Sequence, residues 1–183
     1  MANPIFHRKF VILENGKEVL LRFLNGGDQG SFIELLQEIP DSCLIFPNRD
    51  RKDRKASNDW SDRINYRKNL PLIAVDRQAH RFIASASLHL DEDSARQVVV
   101  IRLFVSEPVR GLGLGSIMLE ELVDFALDED LQWLQAKVVA EHKWVINLYR
   151  TAGFEVKTNL KDYFSRQDGV ILDAVLMVRP LPF

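Results

Sequence analysis

The chain has 183 residues, 46% of them hydrophobic, and a formal net charge of −2 at pH 7. This length suits one domain with a sizeable core, and the small charge gives no global reason to bind nucleic acid or an anionic membrane. No apolar run approaches the roughly 18 residues of a spanning helix, and residues 1–10 lack a signal-peptide stretch. We therefore expect a single domain over residues 1–183, located in the cytoplasm, with neither a nucleic acid nor a membrane as partner.

The first half of the chain predicts several strands and one clear helix. Asn15-Gly16 suits a two-residue hairpin turn between apolar strands. Asp28 is placed to cap a helix whose apolar residues share one face and which Pro40 ends. The lone Cys43 cannot form an intrachain disulfide, and its apolar neighbours favour a core position over a nucleophilic role. The predicted elements are strands over 10–14 and 18–23, a helix over 28–38, a weaker helix around 60–68, and strands over 70–75 and 81–89.

The second half of the chain alternates strands and helices. Residues 98–105 are apolar except for Arg102, which indicates a central strand covered on both faces. The helix that follows carries apolar residues at i, i+3 and i+4 spacing and stops at the acidic run 128–130. Gly153 is placed to end the next helix. The predicted elements are strand 98–105, a helix from about 116 to 128, strand 134–139, a helix over 143–151, and strands 154–157 and 170–178.

Three glycines open the helix that follows the central strand. In residues 110–115, Arg-Gly-Leu-Gly-Leu-Gly, the glycines let the backbone adopt positive φ and let an anion approach without meeting a Cβ. The first turn of a helix has N–H groups without intrahelical partners, and Arg110 adds a fixed positive charge. We therefore expect this loop to bind phosphate.

The spacing of these glycines separates the loop from two other nucleotide-binding motifs. A Walker A loop ends in Gly-Lys-Ser/Thr, whereas Gly115 is followed by Ser116 with no lysine before it. A dinucleotide-binding G-x-G-x-x-G pattern would need a glycine at Ser116 or at Met118. A tight strand-to-helix turn without a ligand remains the alternative.

The loop resembles the R/Q-x-x-G-x-G/A loop of the GNAT superfamily of acyl-CoA N-acyltransferases. Downstream, residues 148–154 (LYRTAGF) are similar to the family's LYxxxGF signature, and Asp173 with Met177 is similar to its closing D-x-x-x-M strand. The similarity extends from about Val98 to Leu181, whereas the N-terminal half matches only in the order of its elements. The resemblance implies an α/β (α+β) GNAT fold, with a mixed, mostly antiparallel sheet of about seven strands, splayed between the fourth and fifth strands, and helices on both faces.

The same resemblance implies acetyl-CoA as the acyl donor and no metal. Backbone N–H groups of residues 110–116 would surround the pyrophosphate, and unpaired backbone groups in the splayed gap would bind the pantetheine arm as they would an added strand. A backbone N–H near Val105 would polarise the thioester carbonyl. The implied CoA-binding residues are Phe104, Val105, Arg110, Gly111, Leu112, Gly113, Leu114, Gly115, Ser116, His142 and Tyr149.

Proton transfer is assigned to Tyr149 and Glu141. The family's tyrosine at the place of Tyr149 protonates the departing CoA thiolate, and an ordinary tyrosine carries its proton at pH 7; packing of its ring in the core is the alternative. His142 stands where the family often has an asparagine that contacts CoA, and it could equally be a polar residue at a helix cap. The central strand offers no carboxylate as a base, so Glu141, His89, Glu92 or a water chain would have to serve.

The resemblance implies a primary amine of a small molecule or peptide as acceptor, which attacks the thioester directly because the motif places no cysteine. Freeing a lysine-like amine at pH 7 costs about 4.6 kcal/mol, whereas an α-amino group costs only about 1 kcal/mol. The basic run 49–55 could attract an anionic acceptor or be a solvated loop. Arg102 could meet an acceptor carboxylate or pair with an acid of the protein. Many relatives are dimers, so a homodimer is an option.

Two other functions remain open at this point. The missing strand carboxylate would also fit an acyl-CoA-binding sensor or regulatory module that has lost catalysis on the same fold. A dinucleotide oxidoreductase would fit the glycine turn alone.

Overall fold

The structure, a computed structural model, describes residues 7–38, 45–47, 69–90, 98–129, 131–166 and 168–182. The expectations for Cys43, Glu92, the basic run 49–55 and a helix around 60–68 fall outside these ranges. The strands are β1 (Arg8–Ile12), β2 (Glu18–Phe23), β3 (Ile45–Pro47), β4 (Asn69–Asp76), β5 (Arg81–Leu90), β6 (Val98–Val105), β7 (Trp133–Val139), β8 (Glu155–Arg166) and β9 (Ile171–Pro180). The helices are α1 (Gln29–Gln37), α2 (Leu114–Asp128) and α3 (Lys143–Thr151), with short 3-10 turns at Gly26–Asp28 and Glu107–Val109.

The described strands form one sheet in the order β1-β2-β4-β5-β6-β7-β9-β8-β3. Every neighbouring pair is antiparallel except β6 and β7, which run parallel. The predicted mixed, mostly antiparallel sheet is therefore confirmed, with nine strands rather than about seven. One of the additional strands is β3, which pairs with the C-terminal part of β8 at the sheet edge.

Helices cover both faces of the sheet, as predicted. On β4, Leu72 and Ala74 belong to the main hydrophobic core with α2, whereas Ile73 belongs to a second core with α1. Successive side chains of a strand point to opposite faces, so α1 and α2 lie on opposite sides. The α3 residues Ile146 and Tyr149 belong to the main core, which places α3 on the α2 side.

The parallel pair β6 and β7 separates at its C-terminal end. Only Val98–Val100 pair with Trp133–Gln135, and both strands then continue without pairing with each other. Among the described strands, β6 is from there paired only with β5, and β7 only with β9. The predicted splay is thus present between the strands of residues 98–105 and 133–139, which are sixth and seventh in chain order.

The hairpin between β1 and β2 differs from the predicted two-residue turn. The Leu13 N–H donates to the Lys17 carbonyl at 2.9 Å, and the Gly16 N–H donates to the Leu13 carbonyl at 2.8 Å, so three residues form the loop. Gly16 has φ +80°, whereas Asn15 does not have a positive φ. A two-residue type I′ turn needs positive φ at both central residues, and a single left-handed glycine gives a three-residue loop with a bulge instead.

The predicted capping role of Asp28 is also wrong in detail. Its side chain makes no capping hydrogen bond to α1. The carboxylate instead accepts from the Asn25 N–H at 2.8 Å and from both terminal nitrogens of Arg22 at 2.6 and 2.7 Å. Asn25 and Asp28 together form a capping box on the short 3-10 turn, so the carboxylate is already used one turn before α1 begins.

The C-terminal part of the chain follows the predicted order of elements. Gly153, with φ +80°, ends α3 as expected, and the Phe154 N–H donates to the Tyr149 carbonyl at 3.0 Å. β8 runs to Arg166 rather than ending at Lys157. Most of its side chains are exposed, so the strand lacks the apolar alternation by which a sequence pattern identifies a strand.

Candidate active site

The glycine loop presents backbone, and not side chains, at the start of α2. Gly111 and Gly113 have φ values of +75° and +83°, in the left-handed region. The first intrahelical hydrogen bond runs from the Ile117 N–H to the Gly113 carbonyl at 3.1 Å, and no side chain caps the helix. The N–H groups of residues 114–116 therefore have no intrahelical acceptor, which is the arrangement that binds anions at helix N-termini.

The leucines of the loop hold it against the protein. Leu114 is only 1% exposed and belongs to the main core, and Leu112 is half-buried against the same core. Around Gly111, by contrast, a Cβ would have no neighbour within 4 Å in the part of the chain that the structure describes. The alternation of leucine and glycine thus anchors the loop on one side and leaves its backbone open on the other.

Gly115 is small for a different reason from Gly111 and Gly113. It lies in the first turn of α2, and its φ is not positive. A Cβ there would lie 3.4 Å from Leu148 Cδ2, 3.6 Å from Leu103 Cδ2 and 3.8 Å from Val105 Cγ2. A side chain at this position would therefore point at α3 and β6. Its absence allows α2 to pack closely against them, and only the N–H of Gly115 is left for a ligand.

Arg110 is partly engaged within the protein. Its backbone N–H donates to the Glu107 carbonyl at 3.2 Å, and its Nε donates to the Val105 carbonyl at 2.9 Å. The Arg110 N–H is therefore already used within the protein, whereas we expected it to donate to a pyrophosphate. The two terminal nitrogens of the guanidinium make no hydrogen bond within the described ranges, and the side chain is exposed at the loop.

Glu14 brings a carboxylate to the same loop. Its Oε1 lies 3.8 Å from the position that a Cβ on Gly113 would occupy. The residue is exposed in the β1–β2 hairpin and makes no ion pair with another described residue. A negative charge beside an anion site opposes anion binding, so Glu14 is a candidate modulator that sequence patterns did not reveal.

The register of β5 and β6 directs backbone groups into the splayed gap. The Ser106 N–H donates to the Ile83 carbonyl at 2.9 Å, so Ser106 and Ile83 form a hydrogen-bonded pair of the antiparallel ladder. Such pairs alternate along the strands, and Phe104 therefore bonds to β5 while the N–H groups of Leu103 and Val105 face the other way. That other side is the gap, because β7 stops pairing with β6 beyond Val100.

Tyr149 lies on α3 with its ring in the main core. The residue is 3% exposed, and its ring packs edge-on against Phe154 with centroids 5.1 Å apart. Burial raises the pKa of the Tyr149 hydroxyl well above its ordinary value of 10, so the group is protonated at neutral pH. Within the described residues the hydroxyl makes no hydrogen bond.

His142 and Glu141 occupy the turn between β7 and α3. The His142 N–H donates to the Val139 carbonyl at 3.0 Å, and its ring stacks on Trp144 with centroids 6.5 Å apart. Its side chain makes no capping hydrogen bond, and the Glu141 side chain is exposed. Seven residues separate His142 from Tyr149, about 10 Å along a helix, so the turn and the tyrosine lie at different depths.

A chain of three hydrogen-bonded polar side chains lies on the α1 face of the sheet. His89 Nδ1 is 2.7 Å from Asn69 Oδ1, and His89 Nε2 is 2.7 Å from Ser87 Oγ. Burial, with a smaller contribution from the positive charge of Arg102, lowers the pKa of His89 from 6.5 to about 4, so the ring is neutral at pH 7. The sequence identified His89 as one of several candidate bases, but it identified neither Ser87 nor Asn69.

The sequence contains a pattern that indicates the polar residues of β5. Ser85, Ser87 and His89 alternate with Ala84, Ala86 and Leu88, so one face of β5 is polar and the other apolar. A polar face on a strand next to the central strand indicates either solvent or a ligand.

Asp173 and Met177, the residues of the closing strand motif, serve the sheet. The Asp173 carbonyl accepts from the Ala140 N–H at 2.9 Å, and its Oδ1 accepts from the Asp162 N–H at 2.9 Å. Met177 is fully buried. These contacts fix the end of β7, where the turn with Glu141 and His142 begins.

The described ranges contain no cluster of three or more His, Cys, Asp or Glu side chains placed to hold a metal ion. None of the helices described is both long enough and apolar enough to cross a membrane.

Solved structures with the same fold include several acetyltransferases. The ribosomal-protein-S5-alanine acetyltransferase from Vibrio fischeri matches with a TM-score of 0.77 and 13% identity, over 93% of this chain and 97% of that one. The ribosomal-protein-alanine N-acetyltransferase from Brucella melitensis gives 0.73 and 22% identity, over 88% and 99%. The GNAT domain of PAT from S. lividans gives 0.73 and 18% identity, over 95% and 97%. At these identities the likeness shows the fold.

A family model shows the family itself. The model of the acetyltransferase (GNAT) family matches residues 33–154, more than half of the chain. The matched part includes the central strand, the glycine loop, the splayed gap and the Tyr149 helix. The chain therefore belongs to the GNAT family of acetyltransferases.

Proposed function

We propose that this protein transfers an acetyl group from acetyl-CoA to a primary amine of a small molecule or peptide by direct attack. The observation that carries the proposal is the open backbone of the glycine loop at one end of the splayed gap. Gly111 and Gly113 present main-chain amides at the start of α2, and the gap begins on the strand that leads into the same loop. We propose acetyl-CoA as the acyl donor and a primary amine as the acceptor on the basis of the chain's membership of the acetyltransferase family.

The loop supplies what a pyrophosphate needs. The N–H groups of Leu114, Gly115 and Ser116 have no intrahelical acceptor, and the N-terminal end of α2 carries partial positive charge. The terminal nitrogens of Arg110 add charge beside them, while its Nε holds the Val105 carbonyl. Arg110 in this way connects the anion site to the end of the gap.

The gap supplies a place for the pantetheine arm and the thioester. The N–H groups of Leu103 and Val105 face it, so an amide-rich arm would extend the sheet as an added strand does. A donor fixed in a rigid strand is suited to stabilise the oxyanion that forms when an amine attacks the thioester carbonyl. We assign that role to the Val105 N–H, with Phe104 directed to the α1 face.

Tyr149 is the proposed acid for the CoA thiolate. Its hydroxyl is protonated at neutral pH because burial raises its pKa, and thiolates are the more weakly basic partner, with an ordinary pKa near 8.5. Full donation to the thiolate therefore runs uphill, so we assign to the Tyr149 hydroxyl a hydrogen bond that stabilises the departing sulfur, with the proton lost by the attacking nitrogen available to replace any proton that Tyr149 gives up. Glu141 is the proposed base on the acceptor side, and Glu141→Gln with unchanged turnover would remove it from that role.

Two measurements on the purified protein test the proposal. Calorimetry should show binding of CoA and acetyl-CoA, and thiol release should appear when a panel of primary amines is added with acetyl-CoA. Mass spectrometry should find the acetyl group on the amine, with no acetylated enzyme on the path. An absence of CoA affinity would reject the proposal.

A second candidate is a non-catalytic acyl-CoA-binding sensor, which one observation favours. β6 carries no carboxylate, and the Glu141 side chain is exposed in a turn. Tight acetyl-CoA binding with no thiol release across the whole amine panel would favour this function.

A further inference from the structure

A polar patch lies on the α1 face of the sheet beside the gap. It consists of Ser87, His89 and Asn69, which form the hydrogen-bonded chain, and Arg102 on the neighbouring strand. We propose that this patch binds the acceptor and selects primary amines that carry a carboxylate, with Arg102 holding the carboxylate. The inference rests on the proposed acetyl transfer and names the acceptor class that the transfer would use.

The register places the four residues together on one face. Ser87 lies directly opposite Arg102, His89 opposite Val100, and Asn69 opposite His89 on the other neighbouring strand. Ser87 and Arg102 form one of the hydrogen-bonded pairs, in which the two Cα atoms are about 5.5 Å apart. Arg102 is also the diagonal neighbour of His89 on this face, at about 7–8 Å between positions across the two strands.

The hydrogen bonds of the chain fix what Ser87 can offer a ligand. With the Asn69 carbonyl oxygen as acceptor, His89 Nδ1 carries the proton, and Nε2 accepts from the Ser87 hydroxyl at 2.7 Å. The Ser87 oxygen has then used its only proton, so its lone pairs are what remains for a ligand. Ser87 therefore offers a carboxylate no proton, so the donors for a carboxylate on this patch must come from Arg102.

Arg102 carries a charge on this face that has no partner among the described residues. Its side chain is exposed and makes no hydrogen bond or ion pair with any residue the structure describes. Arg22 on β2, by contrast, is held by two hydrogen bonds to Asp28. A planar guanidinium with free donors pairs most strongly with a carboxylate, whereas it repels a polycationic amine.

The patch is within reach of the reacting atoms. Arg102 and Phe104 lie on the same face, two residues apart, which is about 7 Å along an antiparallel strand. The Val105 N–H assigned to the thioester is one residue further on. An acceptor can therefore place its amine at the gap and its carboxylate at Arg102 only if several bonds separate the two groups or the arginine side chain folds along the strand.

The test compares amines that differ only in the carboxylate. We would measure kcat/KM for glycine, β-alanine, 4-aminobutyrate and 6-aminohexanoate against methyl-, ethyl-, propyl- and pentylamine, and for glycylglycine against its amide. At least one carboxylated amine should exceed its partner by tenfold or more. Arg102→Gln should reduce that preference to below threefold, chiefly by raising KM for the carboxylated amine, while Arg102→Lys retains part of it.

Two matched variants separate the roles of the patch. Arg77→Gln removes another exposed arginine, which pairs with Glu18 beyond the far end of β4, and it should leave the preference unchanged. Ser87→Ala should leave the preference for the carboxylated amine in place, because Ser87 has no proton to donate to a carboxylate and Arg102 is unchanged.

Several results would overturn the inference. Amines acetylated without any carboxylate preference would do so, as would Arg102→Gln affecting both members of a pair equally. Arg102→Gln that lowers the melting temperature yet keeps the preference would make Arg102 a structural residue. If CoA does not bind and no amine is acetylated, the proposed function itself fails, and the inference fails with it.

Discussion

The glycines of the loop offer a sharp test, because the structure gives Gly113 and Gly115 different physical roles. The motif alone suggests that all three glycines serve the phosphate. In the structure, Gly113 has φ +83°, whereas Gly115 is helical and its missing Cβ points toward Leu148 and Leu103. Gly113→Ala and Gly115→Ala therefore add the same methyl group to the same loop with different expected costs.

For Gly113→Ala the cost is backbone strain. Among the described residues, the only atom near the new Cβ would be Glu14 Oε1 at 3.8 Å, the end of a flexible side chain, so there is no steric clash with them. A left-handed conformation costs a non-glycine residue roughly 1–2 kcal/mol. For a chain of this length that lowers the melting temperature by about 2–8 °C. If the loop relaxes and loses one charge-assisted hydrogen bond to the diphosphate, the affinity for CoA falls about 10- to 100-fold.

For Gly115→Ala the opposing terms nearly cancel. Alanine in place of glycine favours the helix by up to about 1 kcal/mol. The new Cβ at 3.4 Å from Leu148 Cδ2 is at the edge of ordinary contact and offsets part of this gain. We expect the melting temperature to change by only a few degrees, and the CoA affinity to stay within about threefold, because the Cβ does not face the ligand.

Thermal unfolding and calorimetric titration with CoA measure both effects. Gly113→Asn is the matched control, because asparagine tolerates the left-handed region better than alanine and should recover part of the loss. Equal loss of CoA affinity in the two alanine variants would refute the distinction. So would a Gly113→Ala variant as stable and as tight as the unmodified protein.

Three further predictions concern single side chains. Tyr149→Phe should lower kcat at least tenfold, with little change in acetyl-CoA affinity, because only a hydroxyl without a partner among the described residues is removed. His89 has a pKa of about 4 when folded and an ordinary value of 6.5, so the unfolded chain binds its proton first, and stability should fall between pH 6.5 and 4 by up to about 3 kcal/mol; urea unfolding of the protein and of His89→Gln at several pH values measures the difference. Glu14→Gln should tighten CoA binding by a few-fold, and less so at high salt, because it removes a carboxylate beside Gly113.

Each of these has a result that would contradict it. Unchanged turnover in Tyr149→Phe would exclude Tyr149 as the acid. A pH dependence of stability that is the same in His89→Gln as in the unmodified protein would show that the ring titrates alike in both states. Weaker CoA binding in Glu14→Gln would mean that the carboxylate supports the loop.

The spacing of residue types identified the elements of the second half and their chemistry. The α3 bounds of 143–151, the stop at Gly153 and the strand 98–105 agree with the structure because each is written in local pattern: apolar periodicity, a glycine at a left-handed cap, an apolar run between polar turns. The glycine loop could be predicted for the same reason, since its residues are consecutive in the sequence.

Features that depend on strand partners could not be predicted in this way. β3 and the long β8 are edge strands whose pairing is set by the sheet and not by their own alternation. The use of Asp28 by Arg22, instead of by α1, depends on a residue six positions away on another element. The sequence identified Gly115 as a glycine of the loop. Only the packing of α3 against α2 shows that this position needs a small residue for close packing.

The sequence by itself determined the order of the main elements, the glycine turn before α2 and the tyrosine helix, because these follow from residues within one or two turns of each other. The tertiary structure alone decided which amides face the gap, that Ser87, His89 and Asn69 are linked, and that Arg102 is left without a described partner on the same face. Those facts depend on strand register, and register is set by pairing across residues far apart in the chain. A pattern read along one strand contains no information about which residue lies opposite on the next.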